Sequence, residues 1–251
     1  MTRAALSTIL FFISFLGFAQ DKPPLRFDTW IYFQRNTDDS ERWQYRPRFY
    51  IPFALANGGT FTQRLDLPVY YLNKKGTDNP NGEWEGGIGD WFVEESYLSP
   101  EVAANLKWST SVRFVFPTGG SSPFGSQQYQ WAPSLGALYV MPARRLTFNP
   151  LARYFMSYHA NEDKAGQVRR LDLYPTLTQG FGEGWSISLW NENPIDYNQV
   201  TRKWFVPLDV LFIKRLSKQL ELAFGGAWGV EKDDPQYKYV VNGRITLYLE
   251  R

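Results

Sequence analysis

The residues that could do chemistry are few. The chain holds one histidine, His159, and no cysteine, so thiol chemistry and disulfide bridging are excluded. A serine hydrolase would need His159 within hydrogen-bond reach of a serine and a third, orienting group. Ser157 lies two residues away, about 6–7 Å along an extended strand, and Asn161 follows. No His-x-Ser-Asn-Gly hydrolase run is present. His159 therefore reads as a residue at a strand–loop rim, and the chain as a non-enzyme.

Clustered carboxylates are the other candidates. They fall at Asp38-Asp39-Ser40-Glu41, within residues 78–83, at Glu162-Asp163, and at Glu231 with Asp233-Asp234. Oxygen-rich loops hold a divalent cation well only when several ligands converge. None of these runs has the spacing and closing glutamate of a calcium hand, so they read as solvated loops, with no metal and no cofactor.

A third set is charged and strictly spaced. Between residues 170 and 178, Leu171, Leu173, Pro175 and Leu177 alternate with Arg170, Asp172, Tyr174, Thr176 and Thr178. Between 146 and 158, Leu146, Phe148, Pro150, Ala152, Tyr154, Met156 and Tyr158 alternate with Thr147, Asn149, Arg153 and Ser157. Period two puts each set on one face of a strand, whereas a helix would scatter both. Twelve such segments can be read, at about 26–36, 43–55, 60–72, 84–98, 105–117, 129–141, 145–158, 168–180, 185–192, 203–215, 218–230 and 236–249. Most reach the roughly 9–11 residues with which a tilted strand crosses an apolar layer.

Connector lengths alternate as well. Residues 56–59, 142–144, 181–184 and the region of Ser217 are tight turns, whereas 37–41, 73–83, 119–128, 159–167, 192–201 and 231–235 are longer and polar. Short turns at one end and long loops at the other, with an even strand number, are the rule of outer-membrane barrels. Composition agrees: 18% aromatic with 10 Trp and 15 Tyr, the residues that gather at membrane–water interfaces. A soluble sandwich or calyx would hide its apolar face inward, and the apolar set here is too large for one small core. Seven prolines inside the segments, Pro47, Pro52, Pro68, Pro133, Pro150, Pro175 and Pro207, oppose a regular ladder.

The start of the chain has Arg3, an apolar run over residues 4–18, and the small-x-small step Gly17-Phe18-Ala19. This is the layout of a cleaved secretory signal over residues 1–19, and the run is shorter than a spanning helix needs. The barrel then occupies residues 20–251. With 27 basic and 25 acidic residues overall, nothing points to nucleic acid. The expected location is the outer membrane of a Gram-negative bacterium, with lipid, lipopolysaccharide and a small-molecule solute as partners.

The polar faces predict the lumen. Candidate solute-path residues are Arg46, Arg48, Arg64, Asp66, Asp90, Glu94, Arg113, Arg153, Arg170, Asp172, Lys238 and Arg244, with Asp28, Lys107, Asp209 and Glu221 beside them. Charges inside a barrel must be paired or wetted. Neighbouring strands predict the pairs Arg48–Asp66, Arg64–Glu94 and Arg153–Asp172. Counting along the strands puts Arg46, Arg113, Arg170 and Lys238 in the outer half, opposed by Asp172. Asp28, Glu94 and Glu221 fall in the inner half, opposed by Lys107. The expectation is thus basic outside and acidic inside.

Three short motifs add a resemblance. Gly87-Ile88-Gly89-Asp90, Val115-Phe116-Pro117-Thr118-Gly119 and Trp131-Ala132-Pro133-Ser134-Leu135-Gly136 resemble the outer-membrane transporter family typified by the meta-pathway phenol-degradation proteins. The resemblance implies a barrel that helps small, often aromatic, compounds across the outer membrane. The residues alone also admit a non-conducting barrel with a structural or partner-binding role, in which the same charges form an interior salt-bridge core. Within the first motif, Asp90 shares a face with Phe92 and Glu94 and is expected to point into the lumen, most simply as half of an ion pair.

Overall fold

Strands whose faces alternate between apolar and charged need a different solvent on each side, and the fold supplies two. The computed structural model describes residues 23–77, 79–119, 123–160, 167–230 and 236–250, without the side chains of 159 and 160. The expected signal over residues 1–19 lies outside this set, as do Asp78, Glu162, Asp163, Glu231, Asp233 and Asp234.

The described strands are β1 (Leu25–Arg35), β2 (Glu41–Ala54), β3 (Thr60–Asp66), β4 (Val69–Leu72), β5 (Glu85–Ile88), β6 (Trp91–Leu98), β7 (Leu106–Phe116) and β8 (Gln128–Met141). They continue with β9 (Leu146–Ala160), β10 (Arg169–Gly182), β11 (Trp185–Leu189), β12 (Ile195–Asn198), β13 (Lys203–Phe205), β14 (Pro207–Arg215), β15 (Leu220–Gly229) and β16 (Tyr239–Leu249). Four pairs, β3/β4, β5/β6, β11/β12 and β13/β14, are successive halves of one stave, because each pair lies along the same neighbours. Twelve antiparallel staves result. β1 pairs with β2 on one side and β16 on the other, from Leu25↔Leu249 to Arg35↔Tyr239, so the sheet closes without an edge.

The outer surface is apolar. Val241, Ile245, Leu247 and Leu249 are exposed, whereas Asn242, Arg244 and Thr246 on the opposite face of β16 are buried. Ile31, Phe49, Phe114, Leu135, Phe212 and Phe224 extend the belt around the barrel. Exposed aromatics bound it: Trp43, Tyr71, Trp131, Tyr158, Trp204, Trp228 and Tyr239 near the long loops, and Trp108, Tyr139 and Trp185 near the short turns. A continuous apolar band between two aromatic girdles is the exterior of a membrane barrel.

The prolines are absorbed locally. Pro68 and Pro207 fall where β3 gives way to β4 and β13 to β14. The β8–β9 ladder skips residues 132–133 and 137–138, beside Pro133 and opposite Pro150, as expected where a ladder donor is missing. Pro47 keeps its acceptor role, its carbonyl receiving the Leu67 N–H at 3.1 Å.

One boundary expectation fails. The ninth stave does not end at residue 192 in an external loop. Leu189 pairs with Leu177 and Ile195 with Leu173, so residues 190–194 face only residues 174–176 on β10. The surplus chain folds inward and the stave resumes to Asn198.

Inside the barrel, Trp30, Tyr32, Phe205, Leu211, Ala223, Ala227, Tyr237 and Val240 form an apolar cluster against β1 and β13–β16. Phe205 and Tyr237 of this cluster border a polar space inside the barrel.

Candidate functional site

That polar space is a cavity of about 800 Å³. Ten of the twelve predicted solute-path residues line it: Arg46, Arg48, Arg64, Asp90, Glu94, Arg113, Arg153, Arg170, Asp172 and Arg244. Asp66 sits behind the arginines, fully buried. Lys238 is at the long-loop rim, half exposed, with its ammonium 2.6 Å from Asp39. Lys238 and Arg35 together hold the Asp39 carboxyl below its ordinary range. Lys238 is thus a rim residue and not part of the cavity.

Strand register explains the first pairs. Arg48 is opposite both Asp28 and Asp66 across the ladder, and its Nε donates to Asp66 at 2.9 Å. Arg64 is opposite Glu94, with a nitrogen 3.7 Å away, and donates to Asp66 at 2.6 Å. Arg113 is also opposite Glu94 and donates to it at 2.6 Å. Because Arg113 and Glu94 share a level, as do Arg48 and Asp28, the expected split into a basic outer half and an acidic inner half does not hold.

The third predicted pair does not form. Arg153 faces Asp172 in register, yet its guanidinium reaches Glu94 at 2.6 Å. Two staves separate β9 from β6, and the side chains between them, Ser111, Ala132 and Ser134, are small enough to leave a path. Asp172 is instead taken by Arg170, two residues along the same face, at 2.6 Å.

Asp90 does face the lumen, but among the described residues it forms no ion pair. Its carboxylate accepts from Gly119 N at 3.2 Å and from the Ser126 N–H and hydroxyl at 2.6 Å each. It therefore ties the connector after β7 to the wall. Alternation along the strand predicts Gly87 and Gly89 on the face of Trp91, but the register shifts by one residue between the β4–β5 and β3–β6 ladders, so they lie on the opposite face from it. A Cβ on Gly89 would lie 2.2 Å from the Tyr70 ring, and one on Gly87 2.6 Å from Phe124. Only glycine admits these close approaches.

Sequence reasoning missed Arg26, which pairs with Asp28 at 2.7 Å, and above all Glu192. Residues 190–194 carry Glu192 across the interior to β2, where its carboxylate lies 2.7 Å from Arg48 and 3.5 Å from Arg46. The excursion is firmly built. Trp190 turns it with a positive φ of 48°, an unfavourable conformation for a bulky residue. The indole N–H of Trp190 donates to Pro207 O at 2.8 Å, and Thr176 donates to the Trp190 carbonyl at 2.7 Å. Buried Asp209 accepts from the N–H groups of Glu192 at 3.0 Å and Asn193 at 3.3 Å, and from the Asn193 amide at 2.7 Å. A signal was present in the sequence: the predicted lumen set holds more bases than acids, and a low-dielectric wall demands a further carboxylate.

Aromatic faces hold the guanidiniums in place. The Phe92 ring is 4.4 Å from Arg113, 5.4 Å from Arg64 and 6.0 Å from Arg46. Arg48 and Arg244 lie over Trp30 at 5.4 and 5.1 Å, and Arg244 also binds Glu221. Such contacts stabilise a desolvated cation while leaving N–H donors free. For His159 and Ser157, the Ser157 hydroxyl accepts from Val168 N at 3.0 Å, and the His159 side chain lies outside the described set.

A closed twelve-stranded antiparallel barrel, apolar outside and polar inside, has the architecture of outer-membrane channels. No family model matches the chain, and no curated protein matches it. Among solved structures, an outer membrane channel from Pseudomonas putida F1 superposes with a TM-score of 0.72 at 11% identity, over 92% of this chain and 97% of that one. The NanC porin superposes with a TM-score of 0.54 at 12% identity, over 90% of this chain and all of the other. At these identities the likeness is one of fold.

Proposed function

We propose that the chain is an exported outer-membrane protein whose barrel is a narrow channel or facilitator for small solutes. The observation that carries this reading is the polar cavity of about 800 Å³ within a closed barrel, lined by arginines. Its path residues are the ten predicted residues that line the cavity, with Glu192 added. Twelve staves are too few for the wide aqueous pore of sixteen- to eighteen-stranded porins, so passage is restricted to small molecules. The long-loop end faces outward, where Asp38 and Asp39 meet lipopolysaccharide and its cations, and the girdles meet lipid headgroups. The resemblance to the meta-pathway phenol-degradation proteins supports aromatic cargo, and the arginines support anionic cargo.

Planar-bilayer recording of the purified protein tests this. We expect small discrete conductances with anion preference under a salt gradient. We expect the double variant Arg113→Ala with Arg170→Ala to shift the reversal potential toward cation preference. A silent barrel would favour the second reading, a non-conducting structural protein, to which the Glu192–Arg48 bridge across the interior lends support.

A further inference from the structure

Five guanidiniums at the waist, those of Arg46, Arg48, Arg64, Arg113 and Arg153, share three carboxylates, those of Asp66, Glu94 and Glu192. Within this largely buried ion-pair group the guanidiniums outnumber the carboxylates by two. Such an excess is costly unless an anion arrives from solution. Of the three carboxylates, Asp66 and Glu94 stand on regular strands, each opposite at least one of its arginines in register. Glu192 alone comes from an insertion, and it alone crosses the interior to reach its partners.

Arg46 is the least satisfied member. Its only carboxylate contact among the described residues is the 3.5 Å approach of Glu192. The Gln44 carbonyl, turned toward it, accepts from Nε and Nη2 at 2.8 Å each. One face of its guanidinium lies over Tyr32 at 4.9 Å, and Phe92 is 6.0 Å away. Arg48 has a second carboxylate, Asp66, which takes its Nε at 2.9 Å and leaves the Nη groups to Glu192.

We propose that Arg46 and Arg48 form a binding site for the carboxylate of a small aromatic acid, and that Glu192 is an internal carboxylate occupying it at rest. The incoming carboxylate takes the Nη donors of Arg48 and Arg46 that Glu192 now holds, while the flat ring of the solute lies among Phe92 and the guanidinium faces of Arg46 and Arg64. Guanidinium planes suit both parts of such a solute, binding carboxylates through paired N–H groups and stacking on rings. The site joins the two cargo chemistries, aromatic and anionic, in one molecule. This inference rests on reading the barrel as a solute channel and deepens it.

Equilibrium binding of benzoate to detergent-folded protein, with neutral benzamide as the comparison, tests the site without requiring transport. Glu192→Gln removes the competing charge and should tighten benzoate binding about tenfold or more, as loss of a close charge competitor implies. Benzamide binding should be unchanged. Adding Arg46→Gln to Glu192→Gln should abolish the gain. Folding is checked by the mobility shift between heated and unheated samples. Should Glu192→Gln not fold, Glu192→Asp decides, because it keeps the charge but shortens the reach by one methylene. A gain in benzoate affinity there supports the site, and no gain overturns it. Benzoate binding no tighter in Glu192→Gln than in wild type, or an equal gain for benzamide, overturns the proposal. Tighter benzoate binding by a barrel silent in bilayers would leave the site standing and remove the channel reading. Conductance without the gain would do the reverse.

Discussion

Glu94 shows how one carboxylate organises an interior. It accepts from Arg113 and Arg153, and the Ser111 hydroxyl donates to it at 3.0 Å. Both arginines lack any other carboxylate contact among the described residues. Glu94→Gln would leave two buried guanidiniums uncompensated, and we expect a loss of about 3–5 kcal/mol in unfolding free energy. Urea titration in lipid vesicles measures this. Asp39→Ala at the exposed rim serves as the contrast and should leave the midpoint unchanged, since solvent and salt screen such pairs.

At the level of the element, the inward excursion of residues 190–194 is the feature that most distinguishes this barrel from a plain cylinder. Its turn is strained at Trp190, and strained backbone persists only where the surroundings over-determine it. Asp209 supplies much of that determination through three accepted hydrogen bonds. Asp209→Asn turns a charged acceptor into a neutral one that also carries donors. We expect the free energy of local opening to fall by about 1.5–3 kcal/mol, the scale of a hydrogen bond to a charged group. Hydrogen–deuterium exchange should then be faster at residues 192 and 193 than in wild type, with the β7–β8 ladder unchanged. Equal exchange in the two proteins would show that the Trp190 contacts suffice.

For the whole molecule, the inside-out distribution of polarity makes the membrane part of the fold. Leu135 lies midway along β8 on the outer face and is 65% exposed. Arginine there would meet hydrocarbon, and Leu135→Arg should cost about 2–4 kcal/mol in vesicle unfolding titrations. Leu249 shares that face at the short-turn end of β16, where Leu249→Arg should cost only about 0–1 kcal/mol. Equal costs at the two sites would contradict the depth assigned to the belt.

The sequence by itself determined which side of each strand meets lipid, because a period of two leaves no freedom once one face is apolar. It also determined the number of staves, their closure through β1 and β16, and the pairs Arg48–Asp66 and Arg64–Glu94, since each joins the polar faces of adjacent strands, the first across a short turn and the second across the longer connector at 73–83. It could not place Arg153 on Glu94, because that contact depends on small side chains on the intervening staves. Nor could it send residues 190–194 inward, because an excursion opposite three residues of β10 has the same polar composition as an external loop. Only the closed barrel brings β11–β12 opposite β2 across a confined space. There the excess of arginines, legible in the chain as mere composition, becomes an electrostatic demand that Glu192 answers.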